Sequence, residues 1–494
     1  MKAITFPRPM PSLQPLVFTS AAVGIALLIA AFPSDTVILV LGGLALLVCI
    51  FATPLAAAAA LLVLAPLRAL VLTESAINLP VDIGQLMFAL FLGVWLLHRI
   101  VLRRTLLNWR HSPVFACVLI FFAAGTLSLF SALSVSAWLI EWLKWLQILI
   151  IITLCLDMAV ARAWWWLVFA LMLAGIANFL VGLYQFLGGS GALHLLIEGR
   201  FFRAFGTFGQ PNPFGGMMGL LAPLAFGAAL GSGIKLIRLL QRTGKVSLTH
   251  TLATLFFLAC TVMFPAGVLI SWSRGSWLGL AAGLAAVVFA LPGRFRHSLA
   301  ILFVLAASAL ILWTTGLLPA SITDRLGSAF TDTFSASDVR GVDITTENYA
   351  VVERLAHWQA ALLMAESHPF TGVGLGGYED AYPTYRLINW KFPLGHAHNF
   401  YLNVFAETGI IGLVGYLAMW GGILVLTWRA RSHPDISARG IVIGLFGAWT
   451  YFSVHSLTDN LLVNNLFLHL GFQLGLLAIL FRQTHAGIPF LRHR

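Results

Sequence analysis

Charged side chains are scarce in this sequence. Of its 494 residues, 60% are hydrophobic and 10% are Asp, Glu, Lys or Arg, whereas charged residues make up about a quarter of a soluble domain. A mean hydropathy of +0.92 agrees with this composition, which excludes an ordinary soluble protein. The apolar residues form many runs of about 17 to 25 residues, the length that crosses a bilayer as an α-helix. The sequence therefore predicts an all-α polytopic membrane protein.

Cysteine is also rare, and the sequence has no Asp-x-Asp pair. The cysteines lie in apolar runs without close spacing, which argues against a disulfide framework and against a thiolate metal site. They are Cys49, Cys117, Cys155 and Cys260. The lack of an Asp-x-Asp pair argues against a metal-dependent enzyme that uses a nucleotide sugar.

The net charge of +11 would suggest a nucleic-acid partner if the chain were soluble. In a membrane protein the basic residues must first be placed relative to the bilayer, because Lys and Arg are retained on the cytoplasmic side. Most of them fall in a few short connections between apolar runs. We therefore expect membrane lipids, and no nucleic acid, beside these charges. The first apolar run lacks a small-residue cleavage site, so no cleaved signal peptide is expected.

Fourteen apolar runs are long enough to be membrane spans. They cover residues 15–32, 36–53, 54–72, 80–98, 113–131, 137–157, 163–186, 211–231, 251–271, 274–291, 298–316, 399–427, 439–457 and 462–481. The predicted organisation is eleven spans in residues 1–316, including an arginine-bearing loop at 187–211, then a large loop domain at 317–397, then three spans and a basic tail in 398–494. The third run contains Arg68, so it is either a shorter or a re-entrant piece.

The connections after the fourth, eighth, tenth and twelfth runs are basic, which places them in the cytoplasm. Their basic residues are Arg99, Arg103, Arg104, Arg110, Lys235, Arg238, Arg242, Lys245, Arg294, Arg296, Arg429, Arg431 and Arg439. An even number of spans then puts both termini in the cytoplasm and residues 317–397 in the periplasm. Within that loop, the apolar spacing of residues 349–366 predicts an amphipathic helix. The glycine-rich residues 372–377 predict a tight turn.

Three arginines break the charge rule, because this topology places them outside. Arg200 and Arg203 precede the eighth span, and Arg274 begins the tenth. One interpretation is that they reach phospholipid head groups. The other is a phosphate or pyrophosphate site, since Asn212 with Pro213, and Ser271 or Ser273, could cap helices that begin at the same boundary. Arginine also suits bidentate phosphate binding.

A histidine pair opens the twelfth span. His398 is expected at a helix N-terminus, where the neutral imidazole is favoured and can accept a proton, although it could instead anchor the long loop. His396 and His398 lack an obvious third ligand among nearby Cys and His, so no metal site is predicted. Glu407 could line a cavity or pair with an arginine, while Asp459 is interpreted as a loop capping residue.

Within the sixth span, Glu141 and Lys144 are three residues apart. Residues at this separation face each other on a helix. They are predicted to form an intrahelical ion pair.

Four ordered elements resemble the O-antigen ligase and polymerase family. The most specific is His398 and Asn399 followed, after nine residues, by Gly409 and Gly412. The others are R-F-F-R-A-F-G-T-F-G-Q-P-N-P-F, S-W-S-R-G-S and H-P-F-T-G-V-G-L-G. The resemblance covers mainly residues 200 to 415.

The resemblance implies a metal-independent glycosyltransferase without a cofactor in the bacterial inner membrane. Its donor would be a glycan linked to undecaprenyl diphosphate, and its acceptor lipid A core or another glycan or lipid, with inversion at the anomeric carbon. It implies a catalytic role for His398 and diphosphate contacts for Arg203 and Arg274. The further candidates for substrate binding are Arg200, Asn212 and Asn399, with His396 and Glu407 as secondary candidates.

Two other functions remain open at this point. A polymerase that joins repeat units needs the same donor chemistry, and fourteen spans are closer to the polymerases than to the ligases. A transporter of small anions such as bicarbonate should show inverted repeats and polar residues at mid-span. Here the polar residues cluster at the outer boundary and no internal symmetry is evident, which argues against transport.

Overall fold

The computed structural model describes residues 53–70, 82–102, 112–158, 163–189, 192–292 except 198, 295–317 and 338–485 except 346 and 347, together with the single residues 43 and 323. Fourteen α-helices lie in this part of the chain. They are α1 (Pro54–Leu64), α2 (Ile83–Val101), α3 (Pro113–Leu127), α4 (Val135–Met158), α5 (Ala163–Tyr184), α6 (Pro211–Thr243), α7 (Leu248–Ile270), α8 (Arg274–Ala290), α9 (Phe295–Thr314), α10 (Tyr349–Ser367), α11 (Tyr378–Tyr385), α12 (Phe400–Ala430), α13 (Ile436–His455) and α14 (Leu466–His485).

Nine helices in the described ranges are long and apolar enough to cross a membrane. They are α2 to α7, α9, α12 and α14. The prediction of an all-α polytopic membrane protein is thereby confirmed. The predicted spans 15–32 and 36–53 fall essentially outside the described residues, as do the basic tail and residues 324–337 of the large loop. The total of twelve to fourteen spans and the orientation stay predictions.

Burial separates the central helices from the peripheral ones. In α14, 83% of the most apolar window is buried, whereas in α9 the share is 6%. α14 therefore meets protein on most sides, while the apolar side chains of α9 face outward, as expected for lipid contact. A short antiparallel ladder pairs β1 (Leu196–Ile197) with β2 (Phe201–Phe202) ahead of α6.

Two predicted spans differ from continuous helices. The third run contains the 11-residue α1 and a 3-10 turn at Ala65–Leu67, within the apolar helical stretch Pro54–Leu70. Arg68 pairs with Asp82 at 2.5 Å. The run predicted at 399–427 is broken at Gly409, whose φ of 62° and ψ of −164° are non-helical. This backbone region favours glycine, and a side chain there would also overlap the carbonyl carbon of Phe370.

Small residues bring α6, α8 and α13 into backbone contact. A Cβ atom added at Gly227 of α6 would overlap the carbonyl oxygen of Gly440 and lie 2.8 Å from the Cα of Gly444, both in α13. At the start of α8, a Cβ at Gly275 would lie 2.8 Å from the ring of His455, so α8 begins where α13 ends. Close helix approach of this kind is typical of membrane proteins.

The predicted amphipathic helix is confirmed as α10, and the predicted tight turn is confirmed by positive φ angles. These are 64° at Gly372, 103° at Gly374 and 75° at Gly376. The turn leads into α11, and α10 and α11 share a small apolar core with α12. This part of the large loop therefore packs directly on the start of α12.

We predict that Gly227→Val destabilises the protein by about 1 to 3 kcal/mol, because the added methyl groups must separate α6 from α13. The matched control is Gly421→Ala, where an added Cβ has no atom within 4 Å. Thermal unfolding of both variants in detergent measures the effect. A midpoint for Gly227→Val equal to that of the wild type would contradict the close contact.

Candidate active site

The carboxylate of Asp459 lies where α6, α8, α12 and α13 meet. Its side chain is 8% exposed, with Oδ1 at 3.4 Å from His396 Nε2 and 3.9 Å from His398 Nδ1. Its Oδ2 accepts a hydrogen bond from Asn212 Nδ2 at 2.6 Å. Oδ1 also accepts a hydrogen bond from the N–H of Asn460 at 2.8 Å, so Asp459 caps the loop as predicted. The prediction did not include its contacts with α6 and with the two histidines.

Neighbouring groups keep Asp459 ionised in spite of its burial. Burial alone would raise its pKa, but the charge that His396, His398 and His455 carry when protonated, together with the Arg354 guanidinium, lowers it, and the net shift of the pKa is downward. Burial lowers the pKa values of His396 and His398, so these imidazoles are uncharged at neutral pH. Arg354 is therefore the permanent positive charge among these neighbours.

His398 occupies a strained position beside this carboxylate. Its φ is 53°, a left-handed conformation that costs a non-glycine residue about 1 to 3 kcal/mol and is often found at functional sites. Its backbone N–H donates to His396 Nδ1 at 3.0 Å. Both of its ring nitrogens are buried and without a hydrogen-bond partner among the described residues. Neither nitrogen is therefore committed to a partner within the described part of the protein.

The predicted neutral state of His398 is confirmed, although its main cause differs from the one expected. Burial lowers its pKa to about 3, with smaller contributions from His396 and Arg354. The positive end of α12 was the expected cause, but His398 lies outside the helix, which begins at Phe400 after the N-cap residue Asn399. Desolvation of the ring is the dominant effect.

The helix tips offer fewer free N–H groups than expected. Asn399 Oδ1 accepts the N–H groups of Tyr401 and Leu402, and the Phe400 N–H donates to the Ser456 carbonyl at 2.8 Å. Asn399 is therefore a capping residue, and the tip of α12 is satisfied by the protein itself.

The predicted caps of the other two helices also need correction. Asn212 does not cap α6, since the N-cap is Gln210 and the first helical residue is Pro211, which has no N–H. Ser273 is at the N-cap of α8 without a side-chain cap bond, and Ser271 Oγ accepts the Ser273 N–H at 3.2 Å. The arginines must therefore supply most of the attraction for an anion.

Arg203 is held between α6 and the start of α8. Its Nε donates to the carbonyl of Ser271 at 3.2 Å and its Nη2 to Asn212 Oδ1 at 3.4 Å. Burial, Arg354 and Arg274 lower its pKa to about 10, so Arg203 is repelled by both of the other guanidinium groups and is itself still charged at neutral pH. The structure thus brings Arg203 and Arg274 together, as predicted from the sequence.

The loop that carries Arg203 is fixed by buried amides and by backbone bonds. Gln185 Oε1 accepts the N–H groups of Phe205 and Gly206 at 3.0 and 2.7 Å. The Ala204 N–H donates to the carbonyl of Ile270 at 3.0 Å. Arg200 is exposed at the turn between β1 and β2, with its guanidinium 5.1 Å from the ring of Phe201, so the two loop arginines point to different surroundings.

Two further site residues come from α10 and were missed in the sequence. Arg354 is partly buried and acts electrostatically on Arg203, His396, His398 and Asp459. His357 follows three residues later and contacts the His398 ring with centroids 5.6 Å apart. The sequence indicated that these two residues share one face of an amphipathic helix. It did not indicate that this helix packs over the site.

Three possible metal ligands meet at this site. Atoms of His396, His398 and Asp459 lie within 4.8 Å of one another, so Asp459 is the third ligand that a search among Cys and His did not find. Two imidazoles and a carboxylate can bind zinc. However, the Arg354 guanidinium acts electrostatically on all three of these groups, and a positive charge so close disfavours a divalent cation and favours an anion.

Residues 255–417 match the O-antigen ligase family. The chain is therefore similar to O-antigen ligases over this stretch, which is about a third of its length. The matched stretch contains Arg274, Arg354, His357, His396 and His398, and the resemblance stated from the sequence is confirmed. No curated protein matches the chain. The family indicates a membrane enzyme of the ligase or polymerase type that acts on lipid-linked and acceptor glycans in lipopolysaccharide biosynthesis.

In the stretch that matches the family, Glu407 accepts hydrogen bonds from backbone N–H groups near the site. It is 6% exposed, and its Oε1 accepts the N–H of Tyr378 at 3.3 Å. Its carbonyl accepts the N–H of Gly374 at 2.9 Å. These contacts join α12 to the glycine turn. The predicted ion pair between Glu141 and Lys144 is confirmed within α4, and Glu141 packs against Gly376 of the same turn.

We predict that glycan transfer keeps its rate in mildly acid solution. Because the pKa of His398 is lowered to about 3, the imidazole stays neutral well below pH 6.5, and kcat/KM should be level from about pH 7 to about pH 5. Initial rates at constant ionic strength measure this, with enzyme returned from acid to pH 7 as the control for inactivation. An acid limb near the ordinary histidine value of about 6.5 would contradict the assignment.

Proposed function

We propose that the protein is a metal-independent inverting glycosyltransferase, which moves a glycan from undecaprenyl diphosphate to an acceptor such as lipid A core. The reaction would take place at the periplasmic face of the bacterial inner membrane. The observation that carries this proposal is a neutral histidine with both ring nitrogens unbonded among the described residues, within electrostatic reach of Arg354, which also acts on Arg203. The similarity to O-antigen ligases supports the class of reaction.

The arginines would stabilise the leaving group. When the bond between the anomeric carbon and the diphosphate oxygen breaks, its electron pair stays on the diphosphate, whose negative charge increases. Arg274 and Arg354 each repel Arg203 in the free protein, so an anion bound beside Arg203 would relieve that repulsion. Preorganised charges of this kind stabilise a transition state without a metal ion, and arginine can bind phosphate oxygens in a bidentate manner.

His398 would act as the general base. It accepts the proton of the acceptor hydroxyl while the hydroxyl oxygen bonds to the anomeric carbon on the face opposite the diphosphate, which gives inversion. Asp459 Oδ1 lies 3.9 Å from Nδ1, so Nδ1 is the nitrogen that faces the carboxylate and Nε2 is the one assigned to the acceptor. The carboxylate would stabilise the imidazolium formed in this step.

Asn212 would link the two halves of the reaction. Its Oδ1 accepts from Arg203 and its Nδ2 donates to Asp459, so one amide contacts both the cationic side and the carboxylate beside the base. This arrangement differs from the direct diphosphate contact expected from the sequence. It assigns Asn212 to positioning Arg203 and Asp459.

Transfer by purified protein in EDTA tests the proposal, with a carrier-linked glycan and candidate acceptors. We expect product with the wild type, and a loss of about 100-fold to 10,000-fold in rate for His398→Ala, with a comparable loss for Arg274→Ala. Arg340→Ala is the matched control, because Arg340 is 76% exposed and pairs with Asp338. Full activity of the two site variants, or dependence on added metal, would contradict the proposal.

The acceptor decides between ligase and polymerase. Both use the same donor chemistry, and the family includes both reactions as the sequence resemblance describes them. Cells that contain His398→Ala should accumulate full-length carrier-linked polymer if the protein is a ligase. Accumulation of single carrier-linked repeat units would instead assign it to repeat-unit polymerisation.

A further inference from the structure

His357 is a buried histidine of α10 that the proposed reaction does not use. It is 1% exposed, and burial, followed by the effect of His396, lowers its pKa to about 4, so the ring is neutral. A neutral imidazole has one N–H donor and one acceptor nitrogen. The surrounding contacts determine which nitrogen carries the hydrogen.

The Tyr378 hydroxyl anchors His357 at two points. It lies within donating distance of the backbone carbonyl of His357 at 3.2 Å, and its oxygen lies 2.9 Å from His357 Nδ1. When the hydroxyl hydrogen goes to the carbonyl, the hydroxyl oxygen accepts from Nδ1–H. Both polar groups of this pair are then satisfied, and the imidazole cannot turn over without losing a buried hydrogen bond.

Aromatic contacts fix the plane of the same ring. His357 stacks on Tyr382 with centroids 4.8 Å apart and an interplanar angle of 14°. Its ring meets that of His398 at 5.6 Å and 83°, an edge-to-face geometry that aromatic pairs prefer. His357 is therefore a rigid surface, held by α11, against which the ring of His398 rests.

His398 needs such a surface because no hydrogen bond orients its ring. A catalytic histidine is commonly oriented by a hydrogen bond from one ring nitrogen, yet both nitrogens of His398 lack a partner among the described residues. Its ring instead contacts His396 at 4.5 Å and 70° on one side and His357 on another. Packing must therefore determine the direction in which Nε2 points.

We propose that His357 is a positioning residue that holds the imidazole of His398 in its reactive orientation. The proposal rests on the proposed function, in which His398 is the base. His357 contributes ring shape and a fixed position, and its nitrogens take no part in proton transfer. A flat ring of similar size should therefore replace it, whereas a small side chain should not.

The kinetic test compares His357→Phe with His357→Ala. We expect His357→Ala to lower kcat by about 100-fold, the order of loss that a small misplacement of a reacting group causes, with the KM for the donor little changed. His357→Phe should retain most of kcat. Gln359→Ala, a substitution on the same helix beside Asp338, is the control for changes in α10. If His357→Ala does not fold, His357→Leu takes its place.

A chemical readout separates this proposal from the proposed function. Diethyl pyrocarbonate modifies neutral imidazole, so the pH dependence of His398 modification, measured by peptide mass spectrometry, reports its pKa without any glycan transfer. His357→Ala should admit water and raise that pKa towards 6.5, and His357→Phe should leave it low. If the wild type transfers no glycan, the proposed function fails while this measurement still decides the role of His357.

Two results would overturn the positioning role. One is wild-type kcat and unchanged His398 reactivity in His357→Ala, which would show that the ring is not needed. The other is a His357→Phe variant as inactive as His357→Ala with unchanged His398 reactivity, which would show that a ring nitrogen of His357 itself contacts the substrate.

Discussion

The buried carboxylate of Asp459 is the interaction on which the site depends. Arg274 and Arg354 both repel Arg203 nearby, and the carboxylate beside two histidines attracts Arg354. An anion bound beside Arg203 would offset the repulsion among these arginines. The same carboxylate is close enough to His398 to stabilise its protonated form. One group thus connects the attraction for the donor with the chemistry at the acceptor.

Close packing between helices makes that convergence possible. Glycines let α6 and α13 approach at backbone distance, which brings Asn212 near the residues that follow α13. The break at Gly409 separates the start of α12 from the rest of that helix, and the Phe400 N–H is fixed to the carbonyl of Ser456. α10 then covers these ends and adds Arg354 and His357. Each functional group is thus positioned by contacts between the ends of several helices.

Residue patterns in the sequence predicted the membrane class, α10, the glycine turn and the proximity of Arg203 to Arg274. Each depends on composition, on periodicity or on an arginine that breaks the charge rule. The cap of α6 was misassigned because Asn212 followed by Pro213 looks like a cap, whereas Pro211 already begins the helix. Arg354, His357 and the role of Asp459 depend on contacts between segments far apart in the chain, which local patterns do not encode.

Binding of a short-chain prenyl diphosphate tests the central claim most directly, since it requires no acceptor and no turnover. Titration calorimetry on wild-type protein in EDTA should show tighter binding of the diphosphate than of the corresponding monophosphate. Arg354→Gln should weaken diphosphate binding by about 10-fold to 100-fold, as expected for loss of a charged hydrogen bond of about 1.5 to 3 kcal/mol. Equal affinities for the two ligands, or an Arg354→Gln variant that binds like the wild type, would contradict a diphosphate site built from these arginines.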